Sequence, residues 1–268
     1  MEQNKSCNEA KTPSVPSVLR AFDLLETIAR SKAGLRLSEL ATQLKLPKSS
    51  VHYVALTLER KGYLRRNERS GRYKFGMKLL ELADVALTGI VVRDKAAPVL
   101  FGLAQNTGLT VHLAVLDRNE AVLAFKAEPP GSDRLSTWLG KRMDMHCTGL
   151  GKVFLAHFSR DELSRFLFER GLSRHNEHTI VTVSQLRRDL ERTLAQGYAL
   201  DDEEDELGYR CIACPVFGPG DQVAAAISIA GNVNQITSDN VRELSQKTIN
   251  AAATISGLLE ADEQALSA

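Results

Sequence analysis

The sequence predicts an α+β chain of two domains. A small helical domain with a basic hairpin is joined by a helix to a larger domain whose helices flank a mostly antiparallel sheet. Three observations carry this expectation. Residues 34–75 read as two short amphipathic helices around a proline-marked turn, followed by a charged hairpin. From residue 110 onward, strand-like segments come in pairs with helical segments before and after them. Charge is also divided unevenly: residues 1–80 hold 16 Lys and Arg against 7 Asp and Glu, and residues 81–268 hold 18 against 26. A formal net charge of +1 thus hides a basic first third, the part suited to meet a polyanion, and an acidic remainder.

Apolar content of 43% and charged content of 25% are those of a soluble globular protein, and 268 residues suffice for two cores. No apolar run approaches the ~20 residues of a membrane span, and MEQNKSCNEAKTPSVPS lacks an apolar signal core. The expected location is therefore the cytoplasm, without membrane contact. Cys7, Cys147, Cys211 and Cys214 are too few for a disulfide scaffold. Residues 1–15 read as a flexible tail, 16–76 as the first domain, 77–91 as a linker helix and 92–262 as the second domain.

In the first domain Pro16 opens a helix. Val18, Ala21, Phe22, Leu25, Ile28 and Ala29 form one apolar stripe along it. Leu19 and Leu24 lie off that stripe and leave a second apolar contact, as in a dimer. Gly34 stops the helix, and Ser38 is the expected N-cap of the next, with Glu39 near the positive end of its dipole. Pro47 suits the first turn of a third helix, whose buried stripe is Val51, Val54, Ala55 and Leu58. Its other face carries Ser49, Tyr53, Thr57 and Arg60, flanked by Ser50 and His52. A core helix needs none of these, whereas a helix in a major groove uses them: hydroxyls allow close approach and rings reach base edges.

Gly62 closes that helix. Two strands follow around Asn67–Gly71, with Tyr73 and Phe75 expected on one face of the second and Arg72 and Lys74 on the other. Eight basic residues and one acid lie between Arg60 and Lys78. A charged hairpin alone is usually a solvated edge; directly after a helix-turn-helix it reads as a wing on the phosphate backbone. The expected partner is double-stranded DNA, contacted by Ser38, Lys48, Ser49, Ser50, His52, Tyr53, Thr57, Arg69 and Arg72. A winged helix that docks protein is the competing reading.

The linker segment from Met77 places Leu79, Leu80, Leu82, Ala83 and Ala86 on a wide apolar surface. In the second domain, helices are expected over 92–106, 160–170 and 184–196, the last capped by Ser184, and from about 238 to the end. Strands are expected over 110–116, 121–128, 198–201, 211–217 and 223–230. Thr148-Gly149-Leu150-Gly151 opens a further helix, whose free N–H groups suit an anion such as a carboxylate. By sequence alone, glycines packed against the sheet at a plain helix cap explain it better.

No phosphate-binding G-K-[ST] loop, H-E-x-x-H or G-x-S-x-G motif is present, so no enzyme, cofactor or metal is expected. Cys211-Ile-Ala-Cys214 raises zinc or thiol chemistry, but residues three apart on a strand face opposite ways. One cysteine at a pocket and one in the core is the better reading, and His146-Cys147 has no visible partner. A cysteine-based redox or metal sensor using Cys147, Cys211 and Cys214 is the rival function.

Four segments carry a family resemblance: PSVLRAFDLLETI, LPKSSVHYVALTLERKGYL, the G-x-R…HCTGLGK stretch from Gly140 to Lys152, and GYALDDEEDELGYRCIACPV from Gly197 to Val216. From about Pro16 to about Leu259 the chain resembles the IclR family of bacterial transcription regulators. The resemblance implies a winged helix-turn-helix, a linker helix and a GAF-like effector domain. It also implies a repressor or activator of a metabolic, catabolic operon that senses a small organic or aromatic acid and binds a palindromic operator as a homodimer or homotetramer. The effector pocket it implies uses Gly149 and Leu150 at the helix start and Asp201, Cys211 and Ser228 on strands, with Leu135, Met143 and Tyr209 along the sides.

Ser50 and Tyr53 stand where relatives often carry Thr and Arg. Asp144, Cys147, Leu150 and Ala230 replace Pro, Ala, a small residue and Ser, which points to a smaller or less polar pocket. Duplex affinity is expected to fall steeply with salt. Arg69→Ala and Arg72→Ala are each expected to weaken it across sequences, as read in a salt series of duplex binding.

Overall fold

The computed structural model describes residues 14–132 and 135–267, with side chains to 261. Most of the tail expected at 1–15, with Cys7, lies outside the described residues. The chain divides into two compact units between Ala86 and Leu87.

The first unit runs α1 (Pro16–Ala29), β1 (Leu35–Arg36), α2 (Leu37–Leu44), α3 (Lys48–Arg60), β2 (Leu64–Arg66) and β3 (Arg72–Phe75). α4 (Lys78–Thr88) follows and crosses the division. The strands form an antiparallel sheet in the order β1-β3-β2. Leu24, Ile28, Leu35, Leu40, Val51, Ala55, Leu64 and Tyr73 make the core. Gly34 does more than stop α1: at φ +76° a side chain is strained, and a Cβ there would lie 2.5 Å from the Tyr73 carbonyl oxygen. That close approach lets β1, which the sequence pattern did not show, pair with β3.

Three local expectations are corrected here. On α1 the buried residues are Leu24 and Ile28, while Val18, Leu19 and Phe22 stay exposed, Phe22 by 57%. The inward face is rotated from the expected stripe because α2 and α3 pack from the Leu24 side. Ser38 is not a cap; Arg36 precedes α2, and its N–H donates to Glu39 Oε2 at 2.7 Å. Phe75, the last residue of β3 and paired with Leu64, is exposed whereas Tyr73 is buried.

The second unit comprises α5 (Val91–Thr107), β4 (Thr110–Asp117), β5 (Glu120–Ala127), β6 (Arg142–Met143), α6 (Gly149–Ala156), α7 (Arg160–Arg170) and α8 (Val183–Gln196). β7 (Ala199–Asp202), β8 (Tyr209–Phe217), β9 (Val223–Asn232) and α9 (Val241–Ser267) complete it. The six strands are antiparallel in the order β6-β5-β4-β9-β8-β7. Arg118 and Asn119, both at positive φ, make the tight β4–β5 turn. α8 is capped by Thr182, whose hydroxyl accepts the Gln185 N–H, rather than by Ser184. The short edge strand β6 was not anticipated.

The two faces of this sheet differ in side-chain size. Val111, Leu113, Ile212, Val216, Ile227 and Ile229 join the core with residues of α5 and α9. Ala114, Ala121, Ala199, Ala213 and Ala226 join the other, with α6, α7 and α8. Those alanines let α6 lie close against the strands, and all eight of its residues are buried. Gly151 is the tightest point: a Cβ would stand 2.3 Å from Met145 Cα and 2.5 Å from its carbonyl oxygen.

Gly151→Ala is therefore expected to cost roughly 1–3 kcal/mol through overpacking, despite alanine's better helix propensity. Gly257→Ala, which meets nothing within 4 Å on α9, is expected to stabilise by up to about 1 kcal/mol. Urea melts of the two variants read the contrast directly.

Candidate functional site

On α3, Ser49, His52, Thr57 and Arg60 are exposed, Ser50 is half-buried and Tyr53 is 70% exposed. Burial of Val51 and Ala55 on the opposite side fixes this orientation. The Thr57 hydroxyl donates to the Tyr53 carbonyl at 2.8 Å, and the His52 and Tyr53 rings sit 6.0 Å apart. Ser38 and Lys48 are exposed too. The helix thus presents hydroxyls, two rings and a cation on one free surface, the mixture that reads base edges and phosphates.

Arg72 is corrected. Its guanidinium donates to the Gly34 carbonyl at 2.7 Å and to both carboxylate oxygens of Glu39 at 3.0 and 3.3 Å. Glu39 in turn is held below its ordinary pKa by the Arg36 N–H and by Arg72. This fork fastens β3 to the start of α2, so Arg72 is a structural residue of the wing. The free cations are Arg69 at the hairpin tip and Arg65 and Lys74 on the strands; none has an ion pair among the described residues. Arg65 lies directly opposite Lys74 in the β2–β3 register. Like charges so placed destabilise a hairpin, whereas a phosphate between them relieves the repulsion. The run of basic residues in the sequence offered no means of telling the tethered arginine from the free ones.

In the second unit, seven of the eight expected effector residues line one cavity of about 70 Å³: Leu135, Met143, Leu150, Asp201, Tyr209, Cys211 and Ser228. Gly149 stands behind it, where a Cβ would lie 3.1 Å from both Cys211 Sγ and Ala213 Cβ. Strand register brings the set together. Asp201 pairs with Cys211 and Cys211 with Ala230 in one row; Ser228 pairs with His112 in the next. Thr148 and Leu150 line the cavity, so the start of α6, with its unpaired N–H groups, borders it. The Thr148 hydroxyl caps α6 by accepting the Gly151 N–H at 3.1 Å. Lys126 holds the opposite wall by donating to the carbonyls of Leu135 and Thr137.

His112 was missed by sequence reasoning. Its Nε2 lies 2.8 Å from Thr137 Oγ1, and burial, with Lys126 and Lys141 nearby, depresses its pKa to about 3. The imidazole is neutral. Nothing in T-V-H-L marks it without the pairing to β9. Asp201 is buried although it belongs to the acidic run DDEEDE. Its Oδ1 accepts the N–H groups of Glu204 at 2.8 Å and Asp205 at 3.4 Å. Burial raises its pKa to about 8 against the pull of Lys152, with Glu204 adding to the rise. At neutral pH its carboxyl is mostly protonated and able to donate. Ser228 Oγ is fully buried with no strong hydrogen-bond partner among the described residues; the Cys211 thiol beside it is a weak one. Such a hydroxyl costs ~1–3 kcal/mol, which a ligand's polar atom would recover.

Lys152 on α6 is also fully buried. Its ammonium meets Glu204 Oε1 at 2.5 Å, Asp189 Oδ2 at 2.9 Å and the Leu200 carbonyl. Desolvation opposes its charge, but Glu204 and Asp189 outweigh that and raise its pKa. The cysteines diverge as the strand period requires: Cys211 lines the cavity, while Cys214 lies in the core on the α5–α9 side. Burial pushes the Cys211 thiol up to about 12 and the Cys147 and Cys214 thiols higher still, which disfavours the reactive thiolate. Beside the cavity, Asp144, His146, Cys147, His175 and Asp205 bring metal-ligating atoms together.

A basic winged helix joined to a separate domain with a small internal cavity is the organisation of a DNA-binding regulator. Comparison with known proteins agrees. Residues 17–68 match the IclR helix-turn-helix domain, and residues 85–257 match the bacterial transcriptional regulator IclR C-terminal domain. The chain is 34% identical to the transcriptional repressor IclR of Escherichia coli over 91% of its length and 90% of that protein. It is 32% identical to the regulator KdgR of Dickeya chrysanthemi, covering 91% of this chain and 79% of that one. The crystal structure of Thermotoga maritima IclR superposes with a TM-score of 0.79 at 31% identity, over 91% of this chain and 98% of that one. An IclR homologue from Microbacterium hydrocarbonoxydans complexed with 4-hydroxybenzoate shares the fold at TM-score 0.80 and 24% identity, over 91% and 98% of the two chains. The chain belongs to the IclR family of bacterial transcriptional regulators. It is a regulator and not an enzyme, and no helix among the described residues is long and apolar enough to cross a membrane.

Arg69→Ala is expected to lower the salt slope of duplex binding by about one. Arg72→Ala is expected to leave the slope near wild type and to lower the melting temperature of the protein. A salt series and a melt on each variant separate the two roles; equal slope losses would restore Arg72 as a phosphate contact.

Proposed function

We propose that the chain is a cytoplasmic, effector-controlled regulator of a catabolic operon, with a compact organic acid as effector. Ser49, Ser50, His52, Tyr53 and Thr57 read the major groove in this scheme, while Ser38, Lys48, Arg65, Arg69 and Lys74 hold phosphates. The observation that carries the effector reading is the buried Ser228 hydroxyl, with only the weak Cys211 thiol beside it, in a cavity bordered by a helix start and the buried Asp201 carboxyl. About 70 Å³ of internal space is only a few times the ~10–15 Å³ that a single water requires. That favours a short oxo- or hydroxy-acid over an aromatic acid such as the 4-hydroxybenzoate bound by the Microbacterium relative.

Self-association completes the scheme. Val15, Val18, Leu19 and Phe22 form an exposed apolar stripe on α1, and α4 buries none of its eleven residues, leaving Leu80 and Val85 exposed. Water-exposed stripes at helical spacing support a homodimer built on them, and a dimer of winged helices suits a palindromic operator. An effector that binds one arrangement of the dimer better than another shifts its DNA affinity; equal binding to both shifts nothing.

A thermal-shift screen of short oxo- and hydroxy-acids beside benzoates tests the effector class. A ligand at 100 times its Kd adds ~2.7 kcal/mol of stability, and stabilisation by none of the acids would remove the reading. Binding also carries a pH signature. Asp201 donates to an acid ligand while protonated, and ionisation above pH about 8 sets two anions against each other. Affinity is expected to fall up to about tenfold per pH unit above that point, and to stay level in Asp201→Asn, which keeps a donor. Stability has the same sign: the native state holds a proton that the unfolded chain has released, so this contribution is present at low pH and lost as pH rises through about 8. Titration calorimetry at pH 7, 8 and 9 on both proteins reads the difference.

A further inference from the structure

Three connections that are distant in sequence meet beside the effector cavity. The segment between β6 and α6 supplies Asp144, His146 and Cys147; the connection between α7 and α8 supplies His175; the turn between β7 and β8 supplies Asp205. One ligating atom from each of Asp144, Cys147, His175 and Asp205 lies within 4.8 Å of the others, and His146 forms a similar group with Cys147 and His175. His175 Nε2 is 3.2 Å from Asp144 Oδ2, and its Nδ1 is 3.9 Å from Asp205 Oδ1. The Cys147 thiol points at the same Asp205 oxygen from 3.9 Å.

We propose that these residues form a binding site for a transition-metal dication of the zinc class, with Asp144, Cys147, His175 and Asp205 as ligands and His146 as a further nitrogen donor. The donor chemistry selects the ion. A sulfur, one or two imidazole nitrogens and carboxylate oxygens suit zinc, whereas magnesium and calcium take oxygen sets. Zinc bonds of about 2.0–2.3 Å place tetrahedral donors roughly 3.3–3.8 Å apart, so the cluster needs only a small contraction.

Two further features fit a cation. His146 Nε2 lies 2.9 Å from the Ser173 carbonyl. A carbonyl only accepts, so the proton sits on Nε2 and the lone pair is left on Nδ1, the outer-shell arrangement that orients metal-binding histidines. Asp205, Asp144 and Glu204 place negative charge toward Cys147. That field disfavours a bare thiolate but attracts a dication. Access is graded: the Asp144 side chain is 55% exposed and that of His175 31%, while Cys147 is buried. Binding breaks the Cys147 S–H bond, forms the sulfur–metal bond and releases the proton to solvent.

An ion here ties the three connections together. Asp205 also lines the effector cavity, and Thr148, next to Cys147, caps α6. Metal occupancy is thereby coupled to the cavity. The site stands independently of the acid effector.

Full-length protein, stripped with a chelator, is titrated with Zn2+ against a competing chromophoric chelator and with Co2+ by absorption. One zinc per chain with submicromolar affinity is expected, together with a thiolate-to-cobalt charge-transfer band. Cys147→Ala abolishes that band. His175→Ala and Asp205→Asn weaken zinc by at least the ~10–100-fold typical of an outer-shell loss. Cys214→Ala, whose thiol lies in the other core, leaves both readouts unchanged, and melts show which variants are folded. If Cys147→Ala does not fold, His175→Ala carries the test. Wild-type protein that takes up no zinc at micromolar free metal overturns the proposal, as does a cobalt band that survives Cys147→Ala or zinc affinity unchanged in His175→Ala.

Discussion

A single buried ammonium organises the effector domain. Lys152 projects from a helix with no exposed residue and is held by Glu204, Asp189 and the Leu200 carbonyl. A charge removed from water persists only when it is paired and hydrogen-bonded. α6 therefore cannot settle until α8, β7 and the 201–205 turn stand around it. That assembly has chemical consequences. It draws the acidic turn inward and buries Asp201, whose carboxyl then keeps its proton near neutrality. It also sets the open start of α6 beside the cavity, next to Cys211 and Ser228.

The small face of the sheet makes this possible. Alanines at 114, 121, 199, 213 and 226, with Gly149 and Gly151 on the helix, bring backbone against backbone where larger residues would hold α6 away. Packing precision and cavity shape are thus the same constraint in this domain. A Cβ at Gly149 would press on the Cys211 sulfur at the cavity wall, so loosening the helix and distorting the pocket are one event.

The DNA-binding unit separates structural from recognition charge. Arg72 and Glu39 form a forked pair that locks the wing to α2. Arg65 and Lys74 face each other unpaired, an arrangement with a folding cost and a use only against a polyanion. Tyr53 stands on the free side of α3 where relatives often place arginine.

Much of this was legible in the sequence. Apolar periodicity located α3, α5 and α7 and the strand pairs β4–β5 and β8–β9, because helix and strand periods are local properties of the chain. The strand period also showed that Cys211 and Cys214 face opposite ways. Family resemblance located seven residues of the cavity. What local pattern could not supply was partner choice. Which side of α1 is inward, which arginine of the wing is tethered, and that His112 stands beside Ser228 all depend on surfaces contributed from elsewhere in the chain. The meeting of Asp144, Cys147, His175 and Asp205 belongs to the same class. Sequence by itself determined the longer elements, the division of charge and the family; tertiary structure decided which polar groups are buried together and added the short strands β1 and β6. Burial and pairing are long-range outcomes of packing, and they set protonation, donor geometry and metal affinity.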